Sequence, residues 1–497
     1  MSKNKIISRN SNLTESTSLL FQPLRANSIN KDIDDLKSIT IKDYAEECAT
    51  IYKSSIPVFF GNIVEKMIAY SSVFFIGHYL SKYELAAASL SNMFATITGW
   101  SIPLSINNVL NTLCSQAFTG SSDIHMVGVY LQRGILITAS LFIPISSIWW
   151  NAELILTVLN IDPQLAFMCG SYLKVLLLGY LPYITYDCTK RYLFAQGITT
   201  ATSYINIIVL PIHICFNYFL VANPATSLGF IGAPLATALS YWVMLILSLL
   251  YISFIDGYQS WGGWSKKSLR GWGSFLKMAV LSIIMTCSEW WAFQVLALGA
   301  SYLGVLSLAS YSVIMSLTDL FWNVSFGIAI ITSNKAGNLI GETFVNRTIF
   351  TIRSAFLTSI ICSTANIAII LNFKHLLPTI FTKDPEVIDL VASILPFAAS
   401  YQIFDGLTTV ASGILRGQGR HSTGAKINAT CYYLISIPLG FYLAFRFDWG
   451  LKGLYTGIIV TLIATSSALV YSVVNSNWSE LIQNCRVRLN SEGQSDI

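Results

Sequence analysis

The chain has 497 residues; 54% of them are hydrophobic, 13% are aromatic and only 11% are charged, and the formal net charge is +5. A soluble domain carries about 25% charged residues, so this balance, with a mean hydropathy of +0.59, excludes an ordinary soluble enzyme and points to a chain that crosses a bilayer repeatedly. The positive surplus is no nucleic-acid signal, because no basic stripe interleaved with aromatics accompanies it.

Residues 1–50 are rich in Ser, Asn, Lys and Asp and lack the basic-then-apolar start of a cleavable signal peptide. They read as a disordered cytosolic tail, with a short amphipathic helix near residues 41–52. Windows of about 20 apolar residues then recur about twelve times. They lie near 54–77, 86–113, 127–150, 164–186, 203–222, 229–255, 276–300, 304–331, 349–372, 387–413, 427–446 and 451–474. The expected class is an all-α membrane protein with twelve transmembrane helices in two pseudo-symmetric six-helix bundles. Residues 51–256 form the N-lobe, 257–275 an interlobe cytosolic linker, 276–478 the C-lobe and 479–497 a cytosolic C-terminal tail. Trp261, Trp264 and Trp272 with Lys266, Lys267 and Arg270 mark the linker as an interfacial segment.

Lysine and arginine favour one side. Lys190, Arg191, Lys266, Lys267, Arg270, Lys335, Arg347, Arg416, Arg420 and Lys426 follow even-numbered segments, against Lys82, Lys374, Lys383, Arg446 and Lys452 opposite. Both termini are therefore expected in the cytosol. The acidic dileucine pattern Glu15 to Leu20 points to a vacuolar or lysosomal membrane, with the plasma membrane as the other candidate. The nine cysteines are scattered, without the spacing of a disulfide frame or a zinc site. The five histidines (His78, His125, His213, His375, His421) are far apart, so neither enzyme, metal nor cofactor is expected.

The two halves repeat a plan at a spacing of about 220 residues. Tyr79-Leu80, Leu85-Ala86 and Ser89 correspond to Tyr302-Leu303, Leu308-Ala309 and Ser312; RYLFAQG (191–197) to GILRGQG (413–419); GFIGAPLATALSYW (229–242) to WGLKGLYTGIIVTL (449–462). Equal orientation of the halves sets a cleft between them near mid-bilayer as the natural binding place.

Ionisable residues inside such segments mark functional positions by default. Glu289 sits amid residues 278–301, with Ser282 and Thr286 at helical spacing. Gln402, Asp405, Thr409, Ser412 and Arg416 draw a polar stripe along the tenth segment, and Ser312, Ser316, Asp319 and Asn323 another along the eighth. Ser101, Ser105, Asn108, Thr112 and Ser115 line the second. Glu65 and Lys66 project about 100° apart, so one can serve the cleft while the other pairs. Asp187 and Arg191 suit an intrahelical ion pair. Trp290, Trp291, Phe293, Tyr311 and Trp322 could stack on a flat cation. No phosphate-binding loop is present, so an ion gradient must drive any transport.

Three blocks carry a family resemblance: LNTLCSQAFTG with GVYLQRG (110–134), WGGWSKKSLRGW followed by CSEWWAF (261–293), and ASGILRGQGRHSTGAKIN with CYYL (411–434). In these the chain, over about residues 45–478, resembles the multidrug and toxin extrusion (MATE) family, most closely its eukaryotic branch. The resemblance implies export of small organic solutes, mostly cations, in exchange for an inward cation, the proton rather than sodium. Departures are Ser115 and Thr119 where glycine is common, Leu281 in place of a proline, Gln294 in place of a glutamate, Ser72 in place of the bacterial first-helix aspartate, and an acid at Asp319.

Glu289 and Asp405 are the expected proton-coupling pair. Asp319, Gln402, Thr409, Asn323, Trp290, Tyr311, Glu65 and Asn108 are the expected substrate-cavity residues. A carboxyl that takes a proton on one side and, once ionised, offers a cation its counter-charge makes the two compete for one place. The expected protein is a monomer in the bilayer, a secondary active antiporter. The alternative within transport is a lipid-linked oligosaccharide flippase, which would need a cationic cavity where this one reads acidic. The alternative outside transport is a receptor or scaffold.

Overall fold

The computed structural model describes residues 40–493. The tail up to residue 39, with its dileucine pattern, and the last four residues lie outside the described residues. All regular structure among those described is helical. In chain order the long helices are α1 (Ile41–Tyr79), α2 (residues 82–120), α3 (Met126–Trp150), α4 (Pro163–Ala195), α5 (Thr200–Ala222) and α6 (Gly229–Phe254). The second half repeats them as α7 (Trp272–Tyr302), α8 (Val305–Gly341), α9 (Val345–Asn372), α10 (Pro385–Gly417), α11 (His421–Arg446) and α12 (Leu451–Val474), followed by α13 (Trp478–Gly493).

Eleven of these helices are long and apolar enough to cross a membrane, α1 and α3 to α12. α2 is the exception because Ser101, Ser105, Asn107, Asn108, Asn111, Thr112, Ser115 and Gln116 stud its second half, all of them buried. A helix enclosed by protein can carry such residues because it never meets lipid. It makes the twelfth crossing of the expected two-bundle plan.

The helix breaks have local causes. Pro103 cannot donate to the carbonyl four residues back, Gly99, and that carbonyl lies in the π turn Thr96–Trp100 that divides α2. Pro438 acts likewise on Leu434, inside the π turn Cys431–Ser436 of α11. α7, where the resemblance implies a proline in place of Leu281, runs unbroken from Trp272 to Tyr302.

Both tails are shorter than the sequence suggested. Thr40 and Asp43 form a capping box that starts α1 at Ile41. Residues 41–50, assigned to the tail with a separate amphipathic helix, are the first turns of α1. The expected C-terminal tail from 479 onward is largely α13, whose first turn is capped where Asn477 accepts from the Glu480 N–H at 3.3 Å. An isolated helix of this length is marginal in water. α13 is held by burial of Cys485 and Leu489 beside Leu113 and Ala117 of α2 and Ile340 of α8.

That cluster shows how the lobes meet. Away from the termini each lobe keeps its own core, Tyr172, Leu173 and Tyr180 among others in one and Leu395, Leu454 and Tyr455 in the other. At the end where α1 begins and α12 ends the cores fuse. Ile51 joins Ile328 and Ile414, and Val58 and Phe194 join Ile330. Polar contacts follow the same division. Gln116 donates to the Gly417 carbonyl at 2.7 Å, and Thr119 to that of Asn338 at 2.7 Å. Lys335 pairs with Glu47 at 2.5 Å. The seam needs small residues: a Cβ on Gly120 would stand 3.0 Å from the Gly341 Cα and 2.9 Å from the Leu489 side chain.

Candidate transport cavity

Above this seal lies a cavity of about 540 Å³, walled by both lobes. α1 contributes Glu65 and Lys66, α2 Asn108, α4 Asp187, Lys190 and Arg191, α7 Glu289 and Trp290, α8 Asp319, Trp322 and Asn323, and α10 Asp405, Thr409, Ser412 and Arg416. Asp319 and Asn323 of the α8 stripe and Asp405, Thr409, Ser412 and Arg416 of the α10 stripe thus line one chamber, with α1, α2 and α4 of the other lobe, as polar faces within a bilayer must face water or protein.

The cavity holds five carboxyls (Glu65, Asp187, Glu289, Asp319, Asp405) and four cations (Lys66, Lys190, Arg191, Arg416). It is therefore close to balanced, and not the simply acidic chamber the sequence suggested. That reading counted Lys190, Arg191 and Arg416 among loop residues, whereas they stand inside α4 and α10.

Most of these charges are paired. Lys190 reaches Glu65 at 3.1 Å and Asp187 at 3.4 Å; Arg191 reaches Asp187 at 3.5 Å. The Tyr183 hydroxyl donates to Glu65 at 2.9 Å, and the Asn107 amide to Asp187 at 2.9 Å. The N-lobe acids are thereby locked into one network. Asp319 takes an ion pair from Lys66, which joins the lobes and carries the ammonium 5.8 Å from the Trp322 ring. Asn323 turns back to donate to the Asp319 carbonyl at 2.6 Å.

Glu289 and Asp405 differ. Neither has an ion-pair partner among the described residues. They lie within electrostatic reach of each other, and Glu289 also of Arg416 and the Tyr432 hydroxyl. Tyr432 comes from the π turn of α11, which turns it toward the chamber's wall. Trp322 donates to the Thr409 hydroxyl at 3.0 Å, which fixes its indole as part of that wall.

Two expected cavity residues lie elsewhere. Tyr311 is packed in the C-lobe core, its hydroxyl donating to the Phe293 carbonyl at 2.9 Å and its ring 5.8 Å from Tyr455. It is two turns from Asp319 along α8, too far from the chamber. Gln402 is buried and outside the cavity lining. It sits about 60° around α10 from Asp405, enough to turn it into helix packing. Ser282, on the Glu289 stripe, donates to the Ser105 carbonyl at 2.5 Å in the α2–α7 contact. Sequence reasoning passed over Lys190, Asn428 and Tyr432. Lys190 beside Asp187 was visible as an i, i+3 pair, but the other two stand on a segment without acids.

This architecture, two helical bundles around a shared charged chamber, is that of a membrane transporter and not of an enzyme. The MatE sequence profile matches residues 57–219 and 281–442, once in each lobe. An uncharacterized transporter of Schizosaccharomyces pombe is 37% identical, across 89% of this chain and 82% of its own length. Human multidrug and toxin extrusion protein 1 is 28% identical, across 91% of this chain and 79% of its own. The crystal structure of a eukaryotic MATE transporter superposes with a TM-score of 0.82 at 27% identity, covering 90% of this chain and 99% of that one. The chain belongs to the MATE family of integral, multi-pass membrane transporters.

Proposed function

We propose that this transporter is a secondary active antiporter that exports organic solutes, cationic by preference, from the cytosol in exchange for protons, with both termini cytosolic and the protein in a vacuolar, lysosomal or plasma membrane. The observation that carries the reading is the contrast among cavity acids: Glu65, Asp187 and Asp319 are held by lysine or arginine, while Glu289 and Asp405 stand unpaired in the same chamber. An acid already neutralised by a fixed cation has little to offer a moving one. An unpaired acid in a water-filled site can hold either a proton or a cationic solute.

In this conformation the lobes pack together at the end where α1 begins and α12 ends, and in the proposed cycle the chamber loads its proton from the far side. Protonation there displaces the cation from Glu289 and Asp405. The neutral pair then favours the opposite conformation, where the proton leaves to the cytosol and the site refills. Each inward proton yields about 2.3 kcal/mol per 100 mV, and about 1.4 kcal/mol more per pH unit.

The test uses inside-out vesicles with an acidic lumen and tetraethylammonium as probe. Uptake driven by the gradient is expected in the wild type and absent in Glu289→Gln and in Asp405→Asn at equal protein levels. Full gradient-driven uptake in both variants would falsify the coupling assignment.

A further inference from the structure

The cavity floor has a second set of groups, with hydrogen-bond donors left over, that the exchange of a proton for a cation does not use. Arg416 stands one residue before the end of α10 and Arg191 in the last turns of α4. Helical side chains lean toward the helix N-terminus, and both helices run toward the sealed end. Both guanidiniums therefore lean up from the floor into the chamber. Arg416 is 9% and Arg191 5% exposed.

Burying a guanidinium without acceptors for its donors is costly, yet neither has all of its donors met. The Arg416 side chain has no hydrogen-bond or ion-pair partner among the described residues. Its carbonyl, by contrast, accepts from the Thr112 hydroxyl. Arg191 reaches Asp187 through a single Nη at 3.5 Å, and Asp187 is shared with Lys190. The Nε and other Nη of Arg191 have no hydrogen-bond partner, nor do the hydroxyls of Ser412 and Thr286 nearby. One arginine comes from each lobe, so what they bind is held between them.

We infer that the floor is a carboxylate-binding subsite built on Arg416 and Arg191, and that the exported solute is amphoteric, with its cationic group at Glu289 and Asp405 and a carboxylate at the two guanidiniums. The arginine fork matches a carboxylate's two oxygens, and the hydroxyls of Ser412 and Thr286 can donate as well. Such a solute meets the unpaired acids and the spare guanidinium donors at once and brings no net charge of its own. This inference rests on the export reading above and adds the second charge to its cargo.

The test compares a trimethylammonium butyrate with its methyl ester, which keeps the cation and loses the anion. Both are offered to wild-type protein in liposomes under a pH gradient, with tetraethylammonium as reference cation. The acid is expected to surpass the ester by about tenfold to a hundredfold in kcat/KM. In Arg416→Gln that ratio should fall toward one, and Arg416→Lys should restore part of it. Should the glutamine variant fail to fold, competition against tetraethylammonium uptake in the wild type decides the matter, the acid inhibiting at lower concentration than the ester. A wild type that moves tetraethylammonium but separates acid from ester by less than about twofold overturns the inference. A wild type that moves no solute under the gradient overturns the export reading itself, and this inference with it.

Discussion

The two lobes present different walls to the same chamber. On the N-lobe wall Glu65, Asp187, Lys190 and Arg191 form a network with Tyr183 and Asn107, and its acids are pinned to cations on their own or an adjoining helix. On the C-lobe wall Glu289 and Asp405 are unpaired. The presence of a carboxyl in a cavity is therefore a poor guide to its role. Whether a fixed cation already holds it is the better one, because a buried ion pair stabilises its own geometry and resists exchange. On the proposed reading the N-lobe wall stays as it is and the C-lobe wall changes its charge.

The sharpest way to break this comparison is to neutralise acids on the two walls in turn. Glu289→Gln and Asp405→Asn should each lower gradient-driven uptake by about a hundredfold or more, a loss of roughly 3 kcal/mol or above, with thermal stability little changed. Glu65→Gln should do the reverse: uptake per folded molecule keeps its dependence on the pH gradient, while stability falls by roughly 1–3 kcal/mol, since Lys190 retains Asp187. Side-by-side uptake and thermal unfolding in detergent check both. Equal loss of pH coupling in Glu65→Gln would put a working acid on the wrong wall.

Much of this plan was legible in the sequence. Apolar windows located the twelve long helices, though α1, α4 and α8 run well beyond their windows, and helical spacing put Asp405, Thr409 and Asp319 on faces that meet the chamber. What spacing cannot supply is the partner a face meets. Gln402 and Asp405 read as one stripe, but the stripe is broad enough for one edge to pack while the other is wetted. The Lys190–Glu65 bridge spans 125 positions and the Lys66–Asp319 bridge 253; neither leaves a local pattern. α13 reads as a polar tail because it buries only a few residues, such as Cys485 and Leu489, on a surface that two lobes make together.

The N-lobe network also predicts a fault line in stability. Asp187 is the acid that Arg191 and Lys190 share. Asp187→Asn leaves Arg191 without any carboxylate and should destabilise the protein by roughly 3–5 kcal/mol, the usual cost of breaking a buried pair by removing one member. Lower yield and earlier thermal unfolding than for Glu65→Gln are the readouts. Leu489→Ala tests the seal beneath the chamber. Leu489 is 8% exposed and packed between α2 and α8, so the substitution should lose roughly 2–3 kcal/mol. A loss under about 1 kcal/mol would mean that α13 rests on the lobes without binding them together.

The smallest expected effect is also the one that ties the two walls together. Lys66 and Asp319 form an ion pair between lobes, but their side chains are 30% and 35% exposed, so solvent screens the attraction. A double-mutant cycle with Lys66→Met and Asp319→Asn should return a coupling of only about 0.2–1 kcal/mol in thermal unfolding. The pair spans the boundary between the lobes, so in the proposed cycle even this small energy belongs to one conformation more than the other. Breaking it should change the apparent affinity for a transported cation by no more than about fivefold, an amount that follows from the same coupling, and should leave the requirement for Glu289 and Asp405 in place. A coupling well above this range, or uptake that loses its pH dependence in Asp319→Asn, would move Asp319 from the paired acids to the working ones and give the C-lobe wall a third.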